Sequence, residues 1–340
     1  MISAPNSNNQ TITKGTIRSY GAGGAGTNIT SRLEGLTASA DEGYAKLLTT
    51  YIDTSKSNTI GMSGVPSDKF YLIPARDGSG KLRTENREEI REHARAILQK
   101  HAPGDLNLVN HSGGGGSGSV IGPVLVRELV MRDLPVIVFM VGSAESVQDA
   151  KNTLATLKTY EGIVKSTGKP ITLVYMQNTR TARRAEIDRR FVDMNSALAM
   201  LFSRGNKELD TQDLLNWLRI DRATNQEPRL TVLSIFGPDD VIGPIGNLLS
   251  LATLTHGDLD TSFNNQVPAF HAIGYVQSAD QGIISKLPVH FAISDGILGE
   301  ATASMNAVVD EHQISQDSMI RSKPLLGKED KVDADGFCWD

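Results

Sequence analysis

The apolar positions of this 340-residue chain change their period along its length, and each period predicts a kind of element. Short, largely apolar runs at residues 47–52, 70–73, 106–109, 135–141 and 171–175 predict strands buried on both faces. Residues 11–20 predict a further, more polar strand, followed by a helix over 29–38. Helical spacing fills other intervals, notably 85–100 and 146–164. Strands alternating with helices imply a doubly wound α/β sheet, with ligands at the carboxyl ends of the strands.

From 183 to 203, Ile187, Phe191, Met194, Leu198 and Leu201 recur at spacings of four and three, one continuous apolar stripe. At ~1.5 Å per residue this helix is roughly 30 Å long, the height of a domain. The pattern then changes. Strands are predicted at 230–236, 269–276 and 289–293, which places a second, smaller α+β domain here. A last helix from about residue 297 carries Leu298, Ala301, Met305 and Val308 on one face. The expected organisation is a disordered N-terminus over 1–10, a ligand-binding domain over 11–182 and the long helix over 183–204. After these come a loop and helix over 205–227, the α+β domain over 228–295, the last helix over 296–322 and a tail over 323–340.

Two glycine-rich stretches interrupt this pattern, each just after a predicted strand and before a helix. They are Gly21-Ala22-Gly23-Gly24-Ala25-Gly26-Thr27-Asn28 and Ser112-Gly113-Gly114-Gly115-Gly116-Ser117-Gly118-Ser119. Clustered backbone N–H groups at a helix N-terminus suit a phosphate, and two such loops suggest a triphosphate gripped from both sides. Gly21, Gly23 and Gly26 also satisfy G-x-G-x-x-G, so an NAD(P)-dependent oxidoreductase is the alternative reading. The four consecutive glycines of the second loop do not belong to a dinucleotide fold, and the strand ending at Val109 argues against a flexible linker.

Composition narrows the class. With 39% hydrophobic and 21% charged residues the chain reads as a soluble globular protein. No apolar run approaches the ~18 residues of a membrane span, and the first ten residues lack a signal peptide's apolar segment, so residence in the cytoplasm is expected. The single cysteine, Cys338, excludes an internal disulfide framework and a cysteine-based metal site. A net charge of −5 argues against nonspecific nucleic-acid binding.

Residues 112–119 resemble the signature G-G-G-[ST]-G-[ST], and from residue 15 to the tail the chain is identified as similar to the tubulin/FtsZ superfamily. Within it the likeness is to the phage spindle tubulins, carried by residues 114–123, Val141-Gly142-Ser143-Ala144-Glu145-Ser146, Leu209-Asp210-Thr211-Gln212-Asp213 and the acidic end. The resemblance implies a doubly wound GTPase domain, a long central helix, a smaller α+β C-terminal domain, a C-terminal helix and an acidic tail. It implies GTP-dependent assembly of this chain with itself into dynamic filaments in the host cytoplasm, with the phage nucleus or capsids as cargo and no nucleic-acid or membrane partner. A division filament or a plasmid-segregating one is the alternative within the superfamily.

Neither glycine loop contains Lys or Arg, and G-x-x-x-x-G-K-[ST] is absent, so phosphate binding must rest on amides, hydroxyls, helix dipoles and Mg²⁺. Gly21, Ala22, Gly23, Gly24 and Gly26 would serve the first loop, and Gly114, Gly115, Gly116 and Gly118 the second, where Ser117 and Ser119 can donate. Asp77-Gly78-Ser79-Gly80-Lys81 resembles the family's γ-phosphate-sensing loop, with Lys81 as an added charge; an ordinary surface turn is the other reading. Asn28, Asp53, Thr54 and Glu145 complete the nucleotide positions by resemblance, and no protein ligand to the metal is assigned. Guanine's ring N–H and exocyclic amine suit a carboxylate that accepts both. By family position that is Asp188, with Asn178 as a second contact and Arg184 where relatives often carry a stacking aromatic; arginine can also stack.

Residues 205–213 resemble the catalytic loop G-x-x-N-x-D-x-x-D, with Glu208 at the asparagine position. Asp210 and Asp213 would orient the attacking water, and the loop's place after the central helix implies action on the neighbouring subunit's nucleotide. Asp210 is equally a candidate helix N-cap. Residues 328–340 hold five acidic side chains against two lysines, with Phe337 and Trp339. Such a tail is either a solubilising terminus or, by resemblance, docks on a basic patch of the next subunit, as the two aromatics favour.

Overall fold

A computed structural model describes residues 14–34, 43–60, 62, 65–178, 184–296 and 298–321. The 1–10 segment, the tail from 322 onward and the junction at 179–183 lie outside these, as do the expectations placed there. Ten strands form one sheet in the order β3-β2-β1-β4-β5-β6-β7-β10-β8-β9. They are β1 Thr16–Ala22, β2 Lys46–Asp53, β3 Phe70–Leu72, β4 Leu106–Ser112, β5 Val136–Ser143, β6 Ile171–Asn178, β7 Leu230–Phe236, β8 Leu248–Thr255, β9 Phe270–Tyr275 and β10 Val289–Ser294. Strands β3 to β7 in sheet order are parallel, β10 is antiparallel to β7 and β8, and β9 is parallel to β8.

The first six strands run 3-2-1-4-5-6, an order that reverses between β1 and β4. Ligands of doubly wound sheets bind outside the carboxyl ends at such a reversal. Both glycine loops follow these two strands: β1 leads into α1, Gly23–Ser31, and after α2, Arg87–Lys100, β4 leads into α3, Gly118–Met131. The remaining long helices are α4 Val147–Thr167, α5 Arg184–Leu201, α6 Thr211–Leu218 and α7 Leu298–Arg321.

The sheet is covered on both faces. On one, α1, α5 and α6 enclose a cluster containing Ile17, Phe139, Phe191, Leu198, Trp217 and Phe291, which joins strands from both ends of the sheet. On the other, α2, α3, α4 and α7 bury Tyr20, Val109, Leu125, Tyr160 and Met305. Among the described residues no helix is long and apolar enough to cross a membrane.

Two departures from the sequence pattern have physical causes. The first helix begins at Gly23, not near residue 29, because the glycine loop itself forms its first turn; Gly23 takes a φ of +68° that a side chain would strain. Residues 35–38 of that expected helix are outside the described set. Strand β8 was not anticipated: Leu248–Thr255 is buried along its whole length, yet Ser250, Thr253 and Thr255 interrupt the apolar run that marks the other doubly buried strands.

Candidate functional site

A cavity of about 640 Å³ opens at the carboxyl ends of β1, β2, β4, β5 and β6. Ala22, Gly24, Ala25 and Asn28 line it from the first glycine loop, and Gly114, Gly115, Gly116, Ser117 and Gly118 from the second. Gly21, Gly23 and Gly26 stand behind this wall. A Cβ on Gly26 would come within 2.0 Å of the Asn110 carbonyl, and one on Gly23 within 2.6 Å of the Gly118 nitrogen, so these glycines let α1 seat on β4 and the two loops touch. Neither Ala22 nor Ser117, the N-cap residues of α1 and α3, makes a side-chain capping bond. No side-chain cap thus competes with a ligand at either helix end, where the helix dipoles favour an anion.

The Ser117 hydroxyl instead ties three strand-end loops together, bonding Thr54 Oγ1 at 2.8 Å and Ser79 Oγ at 2.7 Å. Ser119 was expected to donate into the cavity. It does not: fully buried, its hydroxyl donates to the Gly116 carbonyl at 2.8 Å, the ordinary back-bond of a serine in a helix's first turn. Thr54 and Gly80 also lie off the wall, whereas Gly78, Ser79 and Lys81 are on it.

Asp53, almost fully buried at the end of β2, accepts from the Thr54 N–H at 2.7 Å and from Asn58 Nδ2 at 2.7 Å; burial pushes its carboxyl pKa up. Asn58, Ser143 and Asp149 line the cavity without having been singled out from sequence, since an isolated polar residue carries no pattern. Lys81 Nζ lies 2.8 Å from the Asp149 carboxylate. Asn152 Nδ2 donates to the carbonyls of Lys81 and Gly114, both at 2.9 Å, binding the 77–81 loop to the second glycine loop.

At the other end of the cavity stand Asn178, Arg184, Glu145 and Asp188. Arg184 makes an ion pair with Glu145, its Nε donating at 3.3 Å. The Asp188 carboxylate accepts from Asn28 Nδ2 at 3.1 Å and from Arg32 at 3.0 Å, while burial raises its pKa. Asn178 Oδ1 is buried with no protein partner, an acceptor left over for a ligand.

Asp210 and Asp213 are elsewhere. Helix α5 starts at the cavity with Arg184 and, at ~1.5 Å per residue, carries the chain about 27 Å away. Its far end packs on the amino ends of the strands: Ala45 N–H donates to Ala199 O at 2.7 Å, and Arg204 pairs with Asp105 at 2.5 Å, beside the starts of β2 and β4. The next loop is pinned to β9 by reciprocal 2.9 Å bonds between Lys207 and Tyr275. Asp210 then caps α6 in a capping box with Asp213. Among the described residues no group of three or more His, Cys, Asp or Glu side chains could hold a metal.

No family model matches the chain. It is 26% identical over 288 residues to the phage tubulin-like protein of Pseudomonas phage PhiPA3, covering 84% of this chain and 90% of that one. The solved protofilament of TubZ from bacteriophage PhiKZ superposes with a TM-score of 0.80 at 25% identity, over 96% of this chain and 99% of that one. The GDP complex of the phage tubulin PhuZ has a TM-score of 0.79 at 24% identity, over 95% and 98% of the two chains. The chain has the fold of the tubulin/FtsZ superfamily and is similar, in sequence and in structure, to the phage tubulin-like proteins.

Proposed function

We propose that the protein is a GTPase that polymerises head to tail and hydrolyses GTP where one subunit meets the next. The observation that carries this reading is that Asp210 and Asp213 lie outside the cavity lining and follow the end of α5 that packs beside the starts of β2 and β4, whereas the cavity opens at the strands' carboxyl ends. A carboxylate pair that cannot reach its own cavity can reach that of a copy stacked beneath it. The protofilament formed by TubZ from bacteriophage PhiKZ supports assembly of this chain with itself.

In this reading the uncapped ends of α1 and α3 take the phosphates, and Asp188 and Asn178 take guanine. When bound with the nucleotide, Mg²⁺ supplies charge neutralisation on the phosphate oxygens. The neighbour's Asp210 and Asp213 accept hydrogen bonds from a water held in line with the terminal phosphorus. The water oxygen bonds to phosphorus, the bond to the bridging oxygen breaks, GDP leaves and the water's proton passes to a carboxylate or phosphate oxygen. Oxidoreductase chemistry is not favoured: the glycines of G-x-G-x-x-G serve packing, and the second glycine loop has no part in it.

The acidic tail finds complementary chemistry in a cavity of about 400 Å³ among α2, α3 and α4. Arg83, Arg87, Arg91 and Arg127 rim it, and Val120, Pro123, Val124 and Ile163 form an apolar floor suited to Phe337 or Trp339. Docking of the tail in a neighbour's groove reinforces the longitudinal contact, and the assembled filament works as a phage spindle in the host cytoplasm.

Phosphate release measured against protein concentration tests the enzyme reading. Turnover per molecule is expected near zero at low concentration and to rise steeply above a threshold at which sedimentation shows polymer. A rate strictly proportional to concentration from the origin sinks it.

A further inference from the structure

The cavity wall carries five carboxyl side chains, Asp53, Asp77, Glu145, Asp149 and Asp188, against two cationic ones, Lys81 and Arg184. Both cations are engaged within the wall, Arg184 with Glu145 and Lys81 with Asp149. A shielded cleft whose cations are held by its own carboxylates must re-partner at least one of them when a polyanion enters, because charges a few ångströms apart interact strongly there.

Geometry singles out Lys81. It stands against the second glycine loop: a Cβ on Gly116 would lie 2.6 Å from Ser79 Cβ and 3.1 Å from the Lys81 backbone. Its side chain is 57% exposed, whereas that of Asp149 is 6% exposed. Asp149 is also anchored, its Oδ2 accepting from Ser146 Oγ at 2.7 Å and its N–H donating to the same oxygen at 3.1 Å in the first turn of α4. One member of the pair is an exposed cation on a loop and the other a buried anion bonded into the start of a helix. The loop is itself poised, with Gly78, Gly80 and Lys81 at φ values of +75°, +52° and +64°. For Lys81 that region is costly, so the loop's shape is held from outside, by the Asn86 and Asn152 side chains on the Gly78 and Lys81 carbonyls.

We propose that Asp149 competes with the terminal phosphate of a bound nucleotide for Lys81, and that this competition sets how strongly the cavity distinguishes a triphosphate from a diphosphate. The inference rests on the nucleotide reading above and adds a residue that opposes binding. With a diphosphate, Lys81 keeps its bond to Asp149. With a triphosphate, the ammonium moves onto the third phosphate beside Gly116, and the anchored Asp149 is left without its cation. Only the triphosphate bears that loss, so Asp149 moderates the preference that Lys81 creates. No bond to phosphorus is made or broken in this exchange.

The test is calorimetric binding of Mg·GDP and of a non-hydrolysable Mg·GTP analogue to the full chain, below the concentration at which it assembles. Lys81→Met is expected to lower the ratio of triphosphate to diphosphate affinity about tenfold, the worth of one charge-assisted bond, and Lys81→Arg to restore most of it. Asp149→Asn is expected to move the ratio the other way, also by about tenfold, and Asp149→Ser carries the same expectation should the amide disturb the helix start. An unmoved ratio in the Asp149 variants, or a shift in the direction of Lys81→Met, overturns the competition while leaving the nucleotide reading intact. Failure of the unsubstituted chain to bind either nucleotide overturns both.

Discussion

Asp210 and Asp213 satisfy each other's backbone: Asp210 Oδ1 accepts from the Asp213 N–H at 2.9 Å, and Asp213 Oδ2 accepts from the Asp210 N–H at 3.0 Å. The two carboxylates proposed to orient water are thereby also the start of α6, and each keeps a second oxygen for another partner. Structure and catalysis can be separated because serine caps a helix as well as aspartate does.

Asp210→Ser is expected to change stability by only a few tenths of a kcal/mol, while Asp210→Ala costs about 1 kcal/mol. Both are expected to abolish GTP turnover with nucleotide binding retained, giving polymer that does not disassemble. Chemical denaturation and phosphate release on the same preparations check this. Normal turnover in the serine variant would reduce Asp210 to a cap.

Glu208 lies two residues earlier at a φ of +65°, in the left-handed region where asparagine is tolerated far better than glutamate. Glu208→Asn is expected to stabilise the chain by about 1 kcal/mol, read as a rise in thermal midpoint. A fall in midpoint would show that its contact with Lys207, at 3.8 Å, outweighs the backbone strain.

His111, directly before the second glycine loop, is fully buried between Tyr160, whose hydroxyl meets Nε2 at 2.6 Å, and the Ser112 carbonyl, 3.2 Å from Nδ1. The neutral ring with its proton on Nδ1 suits both partners. Burial lowers its pKa from 6.5 to about 4. Between those values the unfolded chain binds a proton that the native one does not, so stability rises with pH across the window and is lost as pH falls through it. The full loss is about 3 kcal/mol. Urea midpoints from pH 7 to pH 4 are expected to fall, and to fall less in His111→Gln. An identical slope in that variant would place the titration elsewhere.

Two glycines in helices should respond oppositely to alanine. At Gly26 the new methyl would meet Asn110 O at 2.0 Å, whereas at Gly162, in α4, nothing lies within 4 Å. Gly26→Ala is expected to prevent α1 from seating on β4, and Gly162→Ala to stabilise by about 0.5–1 kcal/mol. Thermal unfolding of the two variants decides.

Deleting residues 328–340 is expected to raise the concentration needed for assembly, and added salt to raise it in the full chain more than in the truncated one, since charge pairing is screened. Sedimentation across a salt series measures both. An unchanged threshold on deletion removes the tail from the interface, and replacing Arg127 with Glu tests the groove independently.

Sequence alone determined where the strands of the parallel half begin, except β1, which starts at Thr16 inside the expected 11–20, together with the stripe of Phe191 and Leu198 that makes α5 central and the two loops that could bind phosphate. These are local properties: hydrophobic period and glycine's freedom at φ values closed to other residues are written within a few positions. Tertiary structure decided what each side chain faces. Ser117 and Ser119 read alike in the chain, yet one joins Thr54 and Ser79 at the cavity and the other turns back to Gly116. Asp149 and Asn152 carry no motif and became site residues only because the start of α4 packs on the second glycine loop. The end of α5 at which Asp210 stands likewise follows from the packing of Ala199 on Ala45. Burial, the satisfaction of polar atoms and the partner of each charge depend on contacts between residues distant in the chain, and those exist only once the sheet has closed over its helices.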